Sequence, residues 1–326
     1  MQSRRFEGAE SLPMTERGSL VAIGNFDGVH LGHQAVLEAS AEEAHRKQVL
    51  ALALTFHPHP AVVLGRPHTV LTEISRKVEL ICRIDPELQV VVQPFTTELA
   101  AKSPREFVVE LLLAKLHAKL VVVGENFRFG HARAGNLSLL SELGRELGFE
   151  TRAQTLSQDE TVGVYSSSRA REAISAGDLA RAEAILGRPH SVSGIVILGD
   201  QRGRRLGVPT ANLSGVSEVL PPFGAYACVV DRVSKDGVAQ ALGKAMLNIG
   251  IRPTAKAGYS IEAHIFDFQG ELYGARLRVH FISRLREEMR FAGLEELKGQ
   301  LARDAQRALG MLQGREPDPR AGGAWY

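Results

Sequence analysis

Gly24-Asn25-Phe26-Asp27-Gly28-Val29-His30-Leu31-Gly32-His33 is the stretch that decides how the first half of this chain folds. It follows Leu20-Val21-Ala22-Ile23, a continuous apolar run of the kind buried on both faces of a parallel sheet. It precedes Gln34-Ala35-Val36-Leu37-Glu38-Ala39, which reads as a helix. The stretch is therefore a strand-to-helix turn, where backbone N–H groups and the positive end of the helix dipole favour an anion. Gly24, Gly28 and Gly32 remove side-chain bulk, so a phosphate can approach the main chain. His30 and His33, three apart at the helix start, fall on one face beside that anion. Two donors at a phosphate suit the stabilisation of charge developing during nucleotidyl transfer. From these features alone, helix caps or a fortuitous metal pair are equally open readings.

Working outward, Val49 to Phe56 predicts a second buried strand. It runs into Phe56-His57-Pro58-His59-Pro60, where the prolines forbid regular structure. His57 and His59 have the spacing of metal ligands but no accompanying cysteine or acidic cluster, so a pocket-lining loop at the sheet's C-terminal edge is the favoured reading. Val90-Val91-Val92 predicts a third strand. Ser103-Pro104-Arg105-Glu106 has capping-box spacing with Pro at the first helical position, and its helix turns Phe107, Val108, Leu111, Leu112 and Leu116 inward. Lys119 to Val123 predicts another buried strand, ending in the glycine-rich loop from Gly124 to Asn136. That loop contains Asn126, Phe127, Arg128 and Phe129 and reads as a second wall of one site, or as a turn with solvated arginines. Strand and helix alternate on to Arg152, the pattern of a doubly wound α/β domain. Tyr165-Ser166-Ser167-Ser168-Arg169-Ala170-Arg171 then opens a helix with two arginines in its first turn, against the helix dipole unless an anion is present.

At 326 residues the chain predicts two domains. Its 44% hydrophobic and 23% charged content is that of an ordinary globular protein, and a net charge of +2 makes no electrostatic case for nucleic acid or an anionic membrane. Aromatics at 6% leave stacking platforms for nucleic acid scarce. Two cysteines, Cys82 and Cys228, rule out a disulfide framework and point to a reducing compartment. The arginines near the start are followed by no apolar stretch of the secretory kind, and no run approaches the roughly 18 apolar residues of a membrane span. The expectation is a cytoplasmic protein.

Leu186-Gly187-Arg188-Pro189-His190 is a helix stop and a boundary. Beyond it, short segments rich in Val, Ile, Tyr and Phe alternate with Gly and Pro turns: 192–198, 225–230, 243–249, 261–268 and 277–281. With no long helix before Leu294, they predict a small antiparallel β-barrel closed by a C-terminal helix. The last segment, 314–326, is rich in Pro, Gly and charge through residue 323 and is expected to be disordered. Within the barrel region, Gly199-Asp200-Gln201-Arg202-Gly203-Arg204-Arg205-Leu206-Gly207 is a flexible basic loop, open to reading as a nucleotide flap or a solvated hairpin. Pro209-Thr210-Ala211-Asn212 follows, and a Thr hydroxyl and an Asn carbonyl two residues apart on one strand face suit Mg²⁺.

The histidine stretch carries the HxGH signature of nucleotidyltransferases, and with its leading Gly-Asn-Phe-Asp-Gly it resembles the bacterial bifunctional riboflavin kinase/FAD synthetase family. The 204–212 stretch is similar to the Gly-Arg-x-Leu-Gly-Phe-Pro-Thr-Ala-Asn motif of riboflavin kinases, with Val208 in place of the usual Phe. Further matching segments follow in order at 222–226, 248–254, 262–268 and 284–291, so the resemblance runs from about Gly18 to Leu312. It implies a Rossmann-like N-terminal domain over 1–186 that transfers AMP from ATP to FMN, and a riboflavin kinase barrel over 187–313.

The resemblance gives catalytic roles to His30, His33 and Glu262, the last as the base at the ribityl 5′-hydroxyl. It places ATP and its phosphates at Gly24, Asn25, Phe26, Asp27, Gly28, Gly32, Asn126, Ser166, Ser167, Ser168, Arg169 and Arg171, and in the second domain at Gly199, Gly203, Arg204, Gly207 and Pro209. Flavin is expected at Phe56, His57, Pro58, Phe127, Arg128, Phe129, Asn248 and Arg286, and Mg²⁺ at Thr210 and Asn212. Asn126 and Asn136 stand at positions where Asp is the alternative in the family. The implied partners are riboflavin, FMN, FAD and ATP, with no nucleic acid or membrane, in a monomer or weak homo-oligomer. Two rivals stand beside this reading: a nucleotidyltransferase for another phosphorylated acceptor, disfavoured by the Thr210, Asn212 and Glu262 set, and a non-catalytic flavin or nucleotide sensor.

Overall fold

The apolar run at 20–23 forms the middle of a strand because both of its faces are covered. In the computed structural model, which describes residues 4–13, 16–154, 158–159, 163–199, 208–251 and 259–326, the first unit spans residues 1–167 and the second residues 168–326. The first unit is built on β1 (Arg5–Glu7), β2 (Ser19–Ile23), β3 (Leu50–His57), β4 (Gln89–Pro94), β5 (Ala118–Gly124) and β6 (Glu150–Gln154). They form one sheet in the order β1-β4-β3-β2-β5-β6, with every neighbouring pair parallel. Val21, Ile23, Leu52 and Leu54 enter one core with Phe107, Val108, Leu111, Leu112 and Leu140. Leu20, Ala22, Ala51 and Ala53 enter a second core, on the other face, with Leu37, Ala41, Val78 and Ile81. Alternation of side chains along a strand thus sends one residue to each core, and the run reads as continuously apolar.

The chain lays β3 and then β4 on one side of β2 before returning to place β5 on the other. The loops leaving the C-terminal ends of β2 and β5 therefore flank a topological switch point, where open α/β sheets form their binding crevice. The expected capping box at Ser103 and Glu106 forms, and the following turns at Phe107–Leu113 widen into a π-helix. The edge strand β1 and the helix Ile74–Ile84 are among the elements that escaped the sequence reading. A two-residue pairing of β7 (Gln158–Asp159) with β8 (Gly163–Val164) ends the unit.

In the second unit, β9 (Ser191–Ile197), β10 (Ala211–Ser214), β11 (Gly224–Val233), β12 (Ala239–Ile251), β13 (Tyr259–Ile265) and β14 (Arg276–Glu287) close a barrel in the order β10-β13-β12-β11-β14-β9. Every pairing is antiparallel. Tyr226, Cys228, Leu247, Ile249, Ile261, Ala263 and Phe281 fill its interior. Ala225, Ala227 and Met246 face a separate cluster with Ala308 of the helix Leu294–Met311 and Leu312 just after it. The strand missing from the list of apolar segments is β10, whose four residues are too few for a pattern.

Two expectations change. The helices Ser167–Ala176 and Leu179–Leu186 fall almost wholly in the second unit rather than ending the first, because Leu179 packs into the barrel core. The segment 314–326 is not disordered. Ala321, Ala324 and Trp325 are buried, the Trp325 amide donates to Asp231 Oδ1 at 2.9 Å, and its indole N–H donates to the Val230 carbonyl at 3.1 Å. Composition predicted disorder because Pro, Gly and charge dominate up to residue 323, whereas the aromatic that anchors the segment, Trp325, lies beyond that stretch.

Candidate active sites

The loop after β2 is strained where a phosphate would meet it. Phe26 and Val29 adopt φ of 47° and 40°, and Gly28 adopts 83°. Left-handed residues within a turn are a feature of the backbone from which anion-binding nests are built. His30 is buried and caps the helix Leu31–Lys47: its Nδ1 accepts from the His33 amide at 3.3 Å, which puts the proton of the neutral ring on Nε2. The two imidazoles stack with centroids 3.6 Å apart, and Phe26 meets His33 edge-on at 5.3 Å. Gly32 is needed for this arrangement, since a Cβ there would lie 3.2 Å from His30 Cε1 and Nδ1. Of the pair, it is His30 that caps the helix.

Other expected members of the site have different work. The buried Asp27 carboxylate accepts from the Leu71 and Thr72 amides at 2.9 and 3.3 Å and so anchors a neighbouring loop. Ser167 Oγ donates to the Asp27 carbonyl at 2.8 Å, which brings the serine segment to the histidine loop. Ser168, Arg169 and Arg171 follow on the helix that Ser167 begins, after Ser166. Phe56 packs edge-on against Phe95, while Phe129 lies tilted on Phe107 and stacked on Phe127; Phe56 and Phe129 are both buried in the core cluster. His57, Pro58, Asn126 and Arg128 are exposed, and Phe127 is half-buried. Partial burial, then the charges of Lys77 and Arg5, hold the His57 imidazole below its ordinary pKa. His59 caps the turn Pro60–Val63 and stacks on His68 at 3.7 Å. Asn136 caps the helix Leu137–Leu147, its Oδ1 accepting from Leu139.

Sequence reasoning missed Lys77. It is buried on the Ile74–Ile84 helix, and its Nζ donates to the Asn25 carbonyl at 2.8 Å, beside Thr55 Oγ1 at 3.0 Å on the same oxygen. Burial lowers its pKa, partly opposed by the Asp27 charge. The helix carrying it has a clear apolar face, which a search for apolar periodicity would have found.

In the barrel, three expected residues share one cross-strand row. Asn212 on β10 pairs with Glu262 on β13, and Glu262 pairs with Asn248 on β12. Their strand neighbours Ala211, Leu213, Ile261, Ala263, Leu247 and Ile249 all point into the barrel, so the row faces outward. It continues through Ala225 to Arg286 on β14. Arg286 Nε is held by Asp304 of the C-terminal helix at 2.8 Å, and Gln300 donates to the other Asp304 oxygen at 2.7 Å. A pocket of about 100 Å³ has Gly199, Pro209 and Thr210 among its lining residues and takes in Asn212 of the row. A Cβ on Gly199 would lie 2.3 Å from Asn212 Nδ2, so the glycine makes room for that amide. Gly203, Arg204 and Gly207, and the 252–254 part of a matching segment, lie outside the described residues. Among the described residues no three His, Cys, Asp or Glu side chains converge as metal ligands.

A parallel sheet with an amide-lined loop at its switch point, and a closed barrel bearing a polar row, define a two-domain nucleotide-dependent transferase. The family model described as FAD synthetase matches residues 12–168, and that described as riboflavin kinase matches residues 186–312. The bifunctional riboflavin kinase/FMN adenylyltransferase of Escherichia coli K12 is 36% identical over 294 residues, covering 89% of this chain and 91% of that protein. The Bacillus subtilis protein of the same name is 35% identical over 300 residues, covering 89% and 92%. A solved Streptococcus pneumoniae structure described as a macrolide-efflux protein is 27% identical, with a TM-score of 0.78 over 93% of this chain and 97% of that one. Among the described residues here, no helix is long and apolar enough to cross a membrane. The chain belongs to the bifunctional riboflavin kinase/FMN adenylyltransferase family, and it phosphorylates riboflavin to FMN and adenylylates FMN to FAD.

Proposed function

We propose that the two reactions are divided between the units, with Glu262 as the base of the kinase and His30 and His33 at the phosphates of the adenylyltransferase. The observation that carries this reading is the outward row Asn212–Glu262–Asn248, which assembles residues far apart in sequence on one face of the barrel. Glu262 takes the proton from the ribityl 5′-hydroxyl as its oxygen attacks the γ-phosphorus of ATP, and ADP leaves. Thr210 and Asn212 offer oxygen ligands on the strand face that Gly199 leaves open, which fits a divalent cation, proposed to be Mg²⁺. Such an ion, when bound, neutralises charge on the ATP phosphates.

In the first unit, an FMN phosphate oxygen attacks the α-phosphorus of ATP and pyrophosphate leaves. No covalent enzyme intermediate is needed. His30 Nε2 and the amides of the strained loop donate to the phosphates. His57, Pro58, Phe127 and Arg128 form the side on which FMN would rest. We further read the protein as cytoplasmic, supported by the free buried thiols of Cys82 and Cys228, and as a monomer or weak homo-oligomer, which light scattering would test.

The test is chromatography of products after incubation with riboflavin, ATP and Mg²⁺. FMN should appear and then give way to FAD. His30→Ala should stop the reaction at FMN, and Glu262→Ala should leave riboflavin untouched while still converting added FMN. Conversion of riboflavin by the Glu262→Ala protein at the unmodified rate would overturn the kinase assignment.

A further inference from the structure

We propose that Lys77 is a positioning residue for adenylyl transfer, holding the Asn25 carbonyl so that the Phe26 amide is presented to the ATP phosphates. The inference rests on placing that reaction at the 24–33 loop. Its geometry begins with one oxygen. The Asn25 carbonyl accepts from Lys77 Nζ at 2.8 Å and from Thr55 Oγ1 at 3.0 Å. The carbonyl of residue 25 and the N–H of residue 26 belong to one planar trans peptide and point in opposite directions. Pinning the oxygen against Thr55 and Lys77 therefore turns the Phe26 N–H to the opposite side. Phe26 sits at φ 47°, a conformation that an L residue leaves unless its surroundings impose it. Two donors on the preceding carbonyl are such an imposition.

The chemistry of the clamp also matters. Lys77 is buried, and a buried ammonium needs compensation, supplied here by the Asn25 carbonyl and by the nearby Asp27 charge. A neutral donor such as Thr55 would hold the carbonyl without that cost. A positive charge directly beneath an anion-binding turn adds attraction for the polyphosphate and for charge that grows on it during transfer. Asp27 completes the support, since its carboxylate holds the Leu71 and Thr72 amides that lead into the Lys77 helix.

Lys77→Met, Lys77→Arg and Thr55→Val are each compared with the unmodified full chain in both reactions, well below each protein's melting temperature. Lys77→Met should lower kcat for FMN adenylylation at least tenfold with KM for FMN nearly unchanged, while riboflavin phosphorylation continues at its ordinary rate. Lys77→Arg, which keeps charge and donor, should recover much of the loss. Thr55→Val should lose less, and the Lys77→Met/Thr55→Val double variant should lose less than the product of the two, because both act through one oxygen. Adenylylation by Lys77→Met within twofold of the unmodified chain overturns the inference. A loss that vanishes on cooling, or that Lys77→Arg reproduces in full, also overturns it by showing a purely structural role. His30→Ala serves as the separate control. If it keeps adenylylation, the placement of the reaction fails; if it abolishes adenylylation while Lys77→Met does not, only the role of Lys77 fails.

Discussion

Asn212 and Glu262 are direct partners across β10 and β13, so the proposed metal ligand and the proposed base stand on one face of the barrel. Cross-strand partners have Cβ atoms about 5 Å apart, close enough for one substrate phosphate and hydroxyl to touch both. Glu262→Gln keeps the shape and removes the proton acceptor. Riboflavin phosphorylation should fall about a hundredfold or more. FMN supplied directly should still become FAD, and separate product assays with each flavin check both halves.

Gly199→Ala is a milder probe of the same place. The new Cβ would overlap Asn212 Nδ2 at 2.3 Å, so the amide must turn away from its position beside Thr210. The Mg²⁺ concentration giving half-maximal riboflavin phosphorylation should rise several-fold, with adenylylation unaffected. An unchanged Mg²⁺ dependence would show that Asn212 holds no metal.

Gly32→Ala addresses the histidine pair. Its Cβ would press on the His30 ring at 3.2 Å and on Tyr165 Cβ at 3.3 Å, distances tight enough to shift an imidazole but not to unfold the helix. Adenylylation should drop roughly tenfold, as expected when a donor to developing charge is displaced. The barrel reaction in the same sample should keep its rate.

The C-terminal segment offers a stability prediction with its own reporter, because Trp325 is the single tryptophan. Asp231 and His280 form a fully buried pair at 2.8 Å, and Asp231 also receives the Trp325 amide. Burial pushes the Asp231 carboxyl up, but the His280 hydrogen bond and charge, the Trp325 amide and Arg278 together hold it below its ordinary value. Its stabilisation is therefore complete above about pH 4, the ordinary carboxylate value, and is lost as pH falls through the lowered folded value. Acid titration should shift Trp325 emission to the red. Asp231→Asn should lower stability at pH 7 by about 3 kcal/mol, the cost of leaving one member of a buried pair without its charge, read as a fall in Tm.

How much of this was legible depends on whether a signal was local. The turn chemistry of Gly24 to His33, the capping box at Ser103 and the Gly187 stop each depend on neighbours a few residues away, and all three formed as expected. The burial of Phe56 and Phe129 in the core was not legible, because an aromatic beside a loop looks the same in sequence whether its ring faces a ligand or a core. The partners of Asp27 were hidden for a related reason, since its amide donors lie more than 40 residues away.

The sequence by itself determined the two-part architecture and the chemistry available to each part. Continuous apolar strands require covered faces, short alternating strands require closure, and residue types at set spacings decide which turns can hold phosphate or metal. Only the tertiary structure decided which of those residues work together. Strand register brought Asn212, Glu262 and Asn248 into one row, sheet order put the loop after β2 at a switch point, and a helix some 50 residues on delivered Lys77 to the Asn25 carbonyl. Register and strand order arise from long-range burial, whose free energy is summed over a whole core and is written in no short stretch of chain.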